Sequence, residues 1–468
     1  VSFPVLATLV VVFVLFRELG LGTVWQPLMR SITTEEDRGA FFARMRSSFT
    51  LVNLALSGAI ALFVGRQLSE FQYKILLGVA LFGTINSLFW SRGIPEPEKS
   101  SDPDRQGFFR SIGGWVGTMR KSPLFRIPLV ITLIITSSQI PIGIIYFREA
   151  LHIPANLLGA QIFCATLGQV LSLILWGRVS DTLGFRPMLT GLLWLATGLS
   201  LVLWIVPVFP VQEWDWASLW DQQALGVSAI LLFGFGNGVL NAGLGIATTS
   251  VMHYHVTKRD SLVSMNLFAL IQITFQSVLV IIIGFYLQQL VIPQATVIAE
   301  PGLLHFDWFK AYRSGVVPLL MLVAIPLVLK LPNLKPWFGV GDFFQVIRYQ
   351  PWRSLLGSRR VYDESEEARI DLARTFGDSL NPLNLQPLAE LLNDPSYEVK
   401  IEAIRSLARS RSAFAGDRLL EILEDPERRA LWDHAAWGLG ELSHSPGVES
   451  LISRLDETNP VRARAMAA

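Results

Sequence analysis

Two charged residues, Arg17 and Glu18, lie inside an apolar stretch long enough to cross a bilayer. A charged side chain in a membrane interior costs at least about 2.5 kcal/mol, so it usually faces a cavity or a partner. Neighbouring helix positions point about 100° apart, so only one of the two can face a cavity squarely. The pair is therefore a candidate part of a substrate path. The alternative is an arginine near a helix end that extends to the membrane interface, with Glu18 following it.

Amide side chains in other apolar stretches are further candidates for a substrate path. Amides can line such a path, but they also hydrogen-bond one helix to another in lipid, at about 0.6 kcal/mol each. Helix packing is the role that we expect for any single one of them. The residues retained as path candidates are Gln139, Gln169, Asn237, Asn241 and Gln272, and Gln161, Asn266 and Gln276 show the same pattern.

A short polar stretch, WGRVSDTLGFRP, joins two apolar stretches and contains Gly177, Asp181, Gly184 and Arg186. An aspartate at a tight turn can accept hydrogen bonds from a helix N-terminus and can pair with a nearby arginine, here Arg178 or Arg186. Such contacts would hold two helix ends together until the helices move apart. The alternative is an ordinary polar loop in which the two arginines only fix the membrane topology.

The elements that must position these residues are apolar helices. The 468-residue chain is 51% hydrophobic and only 16% charged, whereas soluble proteins average about 25% charged residues. So few charges cannot cover a soluble globule of this size, and most of the chain is therefore predicted to lie in a membrane. A bilayer requires about 20 apolar helical residues, and nine stretches qualify: residues 4–28, 47–65, 74–90, 126–147, 157–177, 187–208, 224–249, 262–290 and 313–330.

Lysine and arginine are concentrated in the loops after the first, third, fifth and seventh of these stretches. Such loops are cytoplasmic in most membrane proteins. This places Val1 outside and the C-terminal segment inside, and the expected location is a bacterial inner membrane.

Several classes of protein are not expected. A net charge of +1 argues against a nucleic-acid partner. The single cysteine, Cys164, excludes an intrachain disulfide and a cysteine-cluster metal site. The sequence has no P-loop and no zinc-protease motif, so we expect no enzyme activity, no cofactor and no metal.

The last 88 residues differ from the rest in composition and pattern, since 24 of them are charged. Two segments align at a fixed period of about 30 residues, a spacing typical of helical repeat proteins, and a third copy starts at Leu451. Such a period with paired helices predicts a solenoid, in which each repeat is buried against its neighbours. The matched positions are Asp394-Pro395 with Asp425-Pro426, Ala403 with Ala435, and Leu407 with Leu439.

The polar stretch of residues 176–187 resembles the cytoplasmic G-x-x-x-D-x-x-G-x-R-P loop of the major facilitator superfamily (MFS). The segment around Arg17, with Gly20 and Gly22, is similar to that family's fourth span. The resemblance covers roughly residues 1–335 and implies two six-helix halves, so the chain is expected to begin at about the fourth span. It favours Arg17 as the residue that faces the cavity, and Asp181 as part of an inner gate.

The C-terminal repeats resemble short HEAT repeats of the type named for phycobilisome lyases, with the signature VRxxAxxAL present as Val399–Leu407. The resemblance implies a cytoplasmic α-solenoid that binds a protein, and it gives no support for a lyase activity. The expected domains are a partial transporter half (1–92), a cytoplasmic middle loop with an amphipathic helix (93–125), a second half (126–332), an amphipathic linker (333–380) that repeats the membrane-surface character of the loop, and the repeats (381–468).

The sequence thus predicts an all-α protein, a multi-pass MFS-type membrane domain followed by the solenoid. Its expected function is secondary transport of a small solute by alternating access, with a proton or another ion as coupling partner. The alternative function is a transport-inactive membrane scaffold or sensor that acts through the repeats.

Overall fold

A computed structural model describes most of the chain. The described residues are 38–63, 69–91, 123–138, 153–205, 224–255, 261–286, 289, 312–349, 351–352, 354, 365–379 and 381–455. Within these ranges the secondary structure is helical and no strand occurs. The all-α prediction is therefore confirmed.

The chain divides into two compact units. One consists of Val1–Leu173 and Leu192–Leu331, and the other consists of Ile174–Gly191 and Pro332–Ala468. The second unit thus includes the polar turn at residue 184 together with the C-terminal repeats. We describe each unit separately.

Eight of the described helices are wholly or largely in the first unit. They are α1 (Arg38–Phe63), α2 (Glu70–Ser91), α3 (Pro123–Ser138), α4 (Ala155–Leu183), α5 (Phe185–Ile205), α6 (Ala224–His255), α7 (Ser261–Tyr286) and α8 (Val317–Leu329), the last preceded by a π-helical turn, Tyr312–Val316. Helix α3 contacts α6, α7 and α8, and its Ile131 and Ile135 are buried. This helix is therefore the centre of the packing in the C-terminal part of the unit.

Glycines allow α4 and α6 to approach each other closely. A Cβ atom at Gly238 would overlap the backbone of Ala165, and one at Gly168 would overlap the carbonyl oxygen of Phe235. A Cβ atom at Gly234 would lie 2.7 Å from the carbonyl oxygen of Gln161. Small residues at helix crossings are typical of helix packing in membranes, where association depends on close backbone contact.

Two helices in the described residues, Ala155–Leu183 and Val227–Val251, are long and apolar enough to cross a membrane. They correspond to two of the nine predicted spans. Shorter apolar helices, Ser48–Phe63, Arg126–Ser138, Leu270–Tyr286 and Ser314–Leu329, overlap four more. The structure thus supports two candidate spans by length and composition and does not show nine, and the first predicted span lies outside the described residues.

Apolar side chains are exposed along α1 and α2. Phe49, Leu62, Phe71, Phe82 and Phe89 are each between 65% and 81% exposed. Large exposed apolar patches are typical of proteins that contact a membrane or another protein.

The second unit contains paired short helices. After α9 (Val340–Arg348) they are α10 (Glu366–Asp378), α11 (Leu385–Leu391), α12 (Tyr397–Arg409), α13 (Ala413–Glu424), α14 (Trp432–Glu441) and α15 (Val448–Leu455), with 3-10 turns before α11, α14 and α15. Helices α10, α12 and α14 pack side by side, as do α13 and α14. The repeated helix pairs are those of the predicted solenoid.

Equivalent residues shape the first two repeats. Ser365 caps α10, and Ser396 caps α12 at the same position of the next repeat. Each hydroxyl oxygen accepts a hydrogen bond of 3.4 Å from the backbone N–H of the third residue after it, which satisfies one of the free N–H groups at a helix start. Helix α10 therefore belongs to the row of repeats, although the sequence placed their start at residue 381.

Candidate functional site

The predicted gating motif forms a one-residue turn between α4 and α5. Gly184 has φ +83°, a conformation that favours glycine because it lacks a Cβ atom. Its N–H donates to the carbonyl oxygen of Ser180 at 3.0 Å, which closes the end of α4. Leu183 and Phe185 on either side are buried, whereas Asp181 in the last turn of α4 is exposed. The turn is thus fixed by packing and presents one carboxylate at the surface.

Lys335, which the sequence did not single out, lies beside this turn. Its ammonium group donates a hydrogen bond to the backbone carbonyl oxygen of Asp181, and its side chain passes 3.6 Å from where a Cβ atom of Gly184 would be. The positive charges of Lys335 and Arg178 both act on the Asp181 carboxylate. The other two motif residues, Gly177 and Arg186, are half-buried. The cation closest to the turn therefore comes from the segment after α8.

Helix α9 packs against the ends of α4 and α5 through Phe343. This side chain is fully buried and stacks on Trp176, with ring centroids 5.9 Å apart and planes 7° apart. A Cβ atom at Gly191 would overlap the Phe343 ring, so only glycine leaves space for it there. The sequence predicted that this helix lies on the membrane surface. Phe343 instead packs against protein, while Phe344 and Ile347 on the other face are exposed.

The end of α9 is bonded to the turn that precedes α11. The side-chain amide of Asn381 donates to the carbonyl oxygens of Tyr349 at 2.6 Å and Val346 at 3.4 Å. Its oxygen accepts from the N–H of Leu383 at 3.0 Å, and the residue is 2% exposed. A buried amide with its donors and acceptor used in this way fixes the direction of the chain.

A second contact joins the segment before α9 to α13. The indole N–H of Trp337 donates to the carboxylate of Asp417, and its ring meets Phe414 edge-on at 5.6 Å. The other carboxylate oxygen of Asp417 lies 3.0 Å from Nε2 of His444. Residues 332–349 thus contact both the turn at Gly184 and the repeats, and we name them the bridging segment.

The substrate-path candidates are partly visible. Arg17, Glu18 and Gln139 lie outside the described residues. Gln272 donates a hydrogen bond to the hydroxyl oxygen of Thr136 at 3.0 Å and so joins α7 to α3. This is the helix-packing role that amides often have in lipid.

The other amides lie on α4 and α6. Gln169 and Asn237 are half-buried and adjoin the crossing formed by Gly168 and Gly238, whereas Asn241 is exposed. Gln161 is 8% exposed and packs against Gly234. The structure therefore brings Gln169 and Asn237 to one helix crossing.

A cavity of about 420 Å³ lies between α3, α7, α8 and the π-helical turn. Its walls are almost entirely apolar, with Val130, Phe275 and Ile283 among them, and Ser137 and Tyr312 are its polar residues. None of the path candidates in the described ranges lines this cavity. A polar solute would find few hydrogen-bond partners there.

In the described part of the chain, no group of three His, Cys, Asp or Glu side chains could hold a metal ion. The single cysteine, Cys164, is a free thiol.

A protein-family model described as HEAT repeats matches residues 354–432. The match takes in α10 as well as α11 to α13, in agreement with the packing. No curated protein and no solved structure matches the chain. The second unit thus contains a helical segment similar to HEAT repeats, which commonly mediate protein–protein interaction.

Proposed function

We propose that the chain is a secondary transporter of the MFS type, which moves a small solute by alternating access and carries a HEAT-repeat interaction domain. The protein would lie in a bacterial inner membrane as a multi-pass protein, with its repeats in the cytoplasm. It would have no enzyme activity. A proton or another ion would supply the driving force, with Arg17 and Glu18 as the charged residues of the path.

Incomplete burial of the long apolar helices supports a membrane location. The core helix of a soluble protein can be equally long and apolar, but it is mostly buried. In the most apolar stretches of α4 and α6, only 39% and 33% of the residues are buried. Together with the exposed apolar residues of α1 and α2, these values favour helices solvated by lipid.

The observation that carries the proposal is the contact between the bridging segment and the turn at Gly184. Lys335 binds the backbone of Asp181, and Phe343 fills the space at Gly191. A passive membrane anchor has no need for a residue that holds the ends of two helices. In a transporter, the same contacts would stabilise one position of the inner gate and would have to break or move when the gate opens.

The test is solute flux into proteoliposomes that contain the full chain. A panel of radiolabelled amino acids, sugars, nucleosides and organic anions is offered with and without an inward proton gradient. We expect uptake of at least one class, a large loss in Arg17→Ala, and wild-type uptake in the exposed control Glu366→Gln. Uptake by none of the classes, or uptake unaffected by Arg17→Ala, would favour the membrane scaffold instead.

A further inference from the structure

Three arginines of the repeats share one buried carboxylate. Glu402 in α12 is 7% exposed, and the nearest guanidinium nitrogens of Arg374, Arg405 and Arg409 lie 3.5, 3.8 and 3.4 Å from its oxygens. The three arginine side chains are 60%, 53% and 45% exposed. Each guanidinium thus contacts the buried Glu402, while much of the arginine side chain is exposed to solvent.

A comparison with another ion pair of the repeats shows that the contacts of the three arginines with Glu402 are longer and use fewer N–H donors. Arg369 binds Asp394 through two nitrogens, at 2.7 and 3.1 Å, and both side chains are largely buried. Charge-assisted hydrogen bonds of this kind are normally about 2.7–2.9 Å long. The distances to Glu402 are all longer, and none of its three partners has a two-nitrogen contact with it among the described interactions.

Arg409 shows the same incomplete pairing. It lies 3.6 Å from Asp378, which is 72% exposed, and it donates to the hydroxyl of Ser406 at 3.1 Å. A guanidinium carries five N–H donors in a fixed plane. Most of the N–H groups of the three arginines therefore have no hydrogen-bond acceptor within the cluster.

The arginines also form a row along the solenoid. Arg374 and Arg405 occupy equivalent positions of successive repeats, in α10 and α12. The equivalent position in α14 is Trp437, because the buried Ala435 and Leu439 correspond to Ala403 and Leu407. Trp437 is 40% exposed. Successive repeats thus present a guanidinium, a guanidinium and an indole.

Spacing and charge indicate what this row fits. Packed helices lie about 8–10 Å apart, which matches one three-residue turn of a polyproline II chain at about 3.1 Å per residue. A carboxylate can bind an arginine through two parallel hydrogen bonds. Two cations and an indole in single file on successive repeats match a chain better than they match the flat surface of a membrane.

We propose that this row binds an acidic segment of a cytoplasmic protein in the polyproline II conformation, with carboxylates about three residues apart on Arg374 and Arg405 and an apolar side chain on Trp437. Arg409 adds charge beside the second carboxylate position. The proposal rests on the interaction role of the repeats and names the chemistry of the partner.

The test uses the full chain in detergent micelles and a fluorescein-labelled peptide with glutamates at every third position, followed by a leucine. Fluorescence anisotropy should show binding that weakens at high salt, and the same peptide with glutamines should not bind. Arg374→Gln and Arg405→Gln should each weaken binding about tenfold. Arg418→Gln, on helix α13 and paired with Glu421, is the matched control and should bind as the wild type does.

A second variant separates folding from binding. Arg405→Lys keeps a positive charge beside Glu402, so it should unfold at the wild-type temperature. It should still bind the peptide more weakly, because an ammonium group cannot make the two parallel bonds of a guanidinium.

Three results would overturn the proposal. They are equal binding of the glutamine peptide, an equal loss in Arg418→Gln, or displacement of the peptide by phosphatidylglycerol added to the micelles, with Arg374→Gln and Arg405→Gln losing binding of that lipid. The last would assign the row to a membrane surface. Binding is measured without solute flux, so failure of this proposal and failure of the transport proposal are distinguishable.

Discussion

At the scale of single residues, Gly184 has a left-handed backbone conformation, which residues with a Cβ atom disfavour. The left-handed region costs a residue with a Cβ atom about 1–2 kcal/mol. We therefore expect Gly184→Ala to lower the unfolding temperature of the full chain in detergent. Gly198→Ala is the control, because it is in α5 with no atom within 4 Å of a new Cβ. It should leave the unfolding temperature unchanged or raise it slightly, and an equal fall in both variants would contradict the role of the turn.

The buried pair of Arg369 and Asp394 gives a second prediction at this scale. Removal of one partner from a buried ion pair leaves an uncompensated charge and costs about 3 kcal/mol. Arg369→Met should therefore lower the urea concentration at which pulse proteolysis cuts the repeats. Arg418→Met removes the same charge from a pair with Glu421 in which the two side chains are 33% and 57% exposed, and it should cost less than about 1 kcal/mol. Similar losses in the two variants would show that the Asp394 pair is not structural.

At the scale of elements, α9 is predicted to hold the turn at Gly184 through Phe343. Truncation of a buried phenylalanine costs about 3–5 kcal/mol, so Phe343→Ala should loosen α9 from Trp176 and Gly191. Backbone amides of residues 185–191 should then exchange hydrogen faster, while those of α12 should not change. Ile347→Ala, on the exposed face of α9, is the control and should leave both regions as in the wild type. Unchanged exchange in Phe343→Ala would contradict the contact.

Periodicity and composition predicted the helical class and the paired repeats, because both depend on local patterns. They did not predict the packing of α9. Phe343 fits the apolar face of a membrane-surface helix equally well, and its partner Trp176 is far away in the sequence. Lys335 was missed for the same reason, since its bond to Asp181 spans 154 positions.

The start of the solenoid was missed for a different reason. Asp363 and Ser365 stand one repeat before Asp394 and Ser396, but Glu364 occupies the position where the later copies have proline. The Asp-Pro pair was the feature used to align the copies. The capping serine and the buried face of α10 were the remaining signals, and they became clear only once α10 was seen against α12.

At the scale of the whole molecule, the ends of α4 and α5 belong to the same compact unit as the repeats. A bound partner that shifted the repeats would therefore act on the turn at Gly184 through the bridging segment. This arrangement would couple a cytoplasmic signal to an inner gate. It requires that α4 and α6 line a path that opens to each side of the membrane in turn.

Thiol accessibility tests that requirement most directly and needs no knowledge of the solute. Gln169→Cys and Asn237→Cys are made separately with Cys164→Ser and treated with a membrane-impermeant maleimide in right-side-out and inside-out vesicles. Alternating access predicts that each cysteine reacts from both sides, and that Ile174→Cys, on the exposed apolar face of α4, reacts from neither. Reaction of neither path cysteine, or of both from the same single side, would contradict the transport account and favour a membrane scaffold.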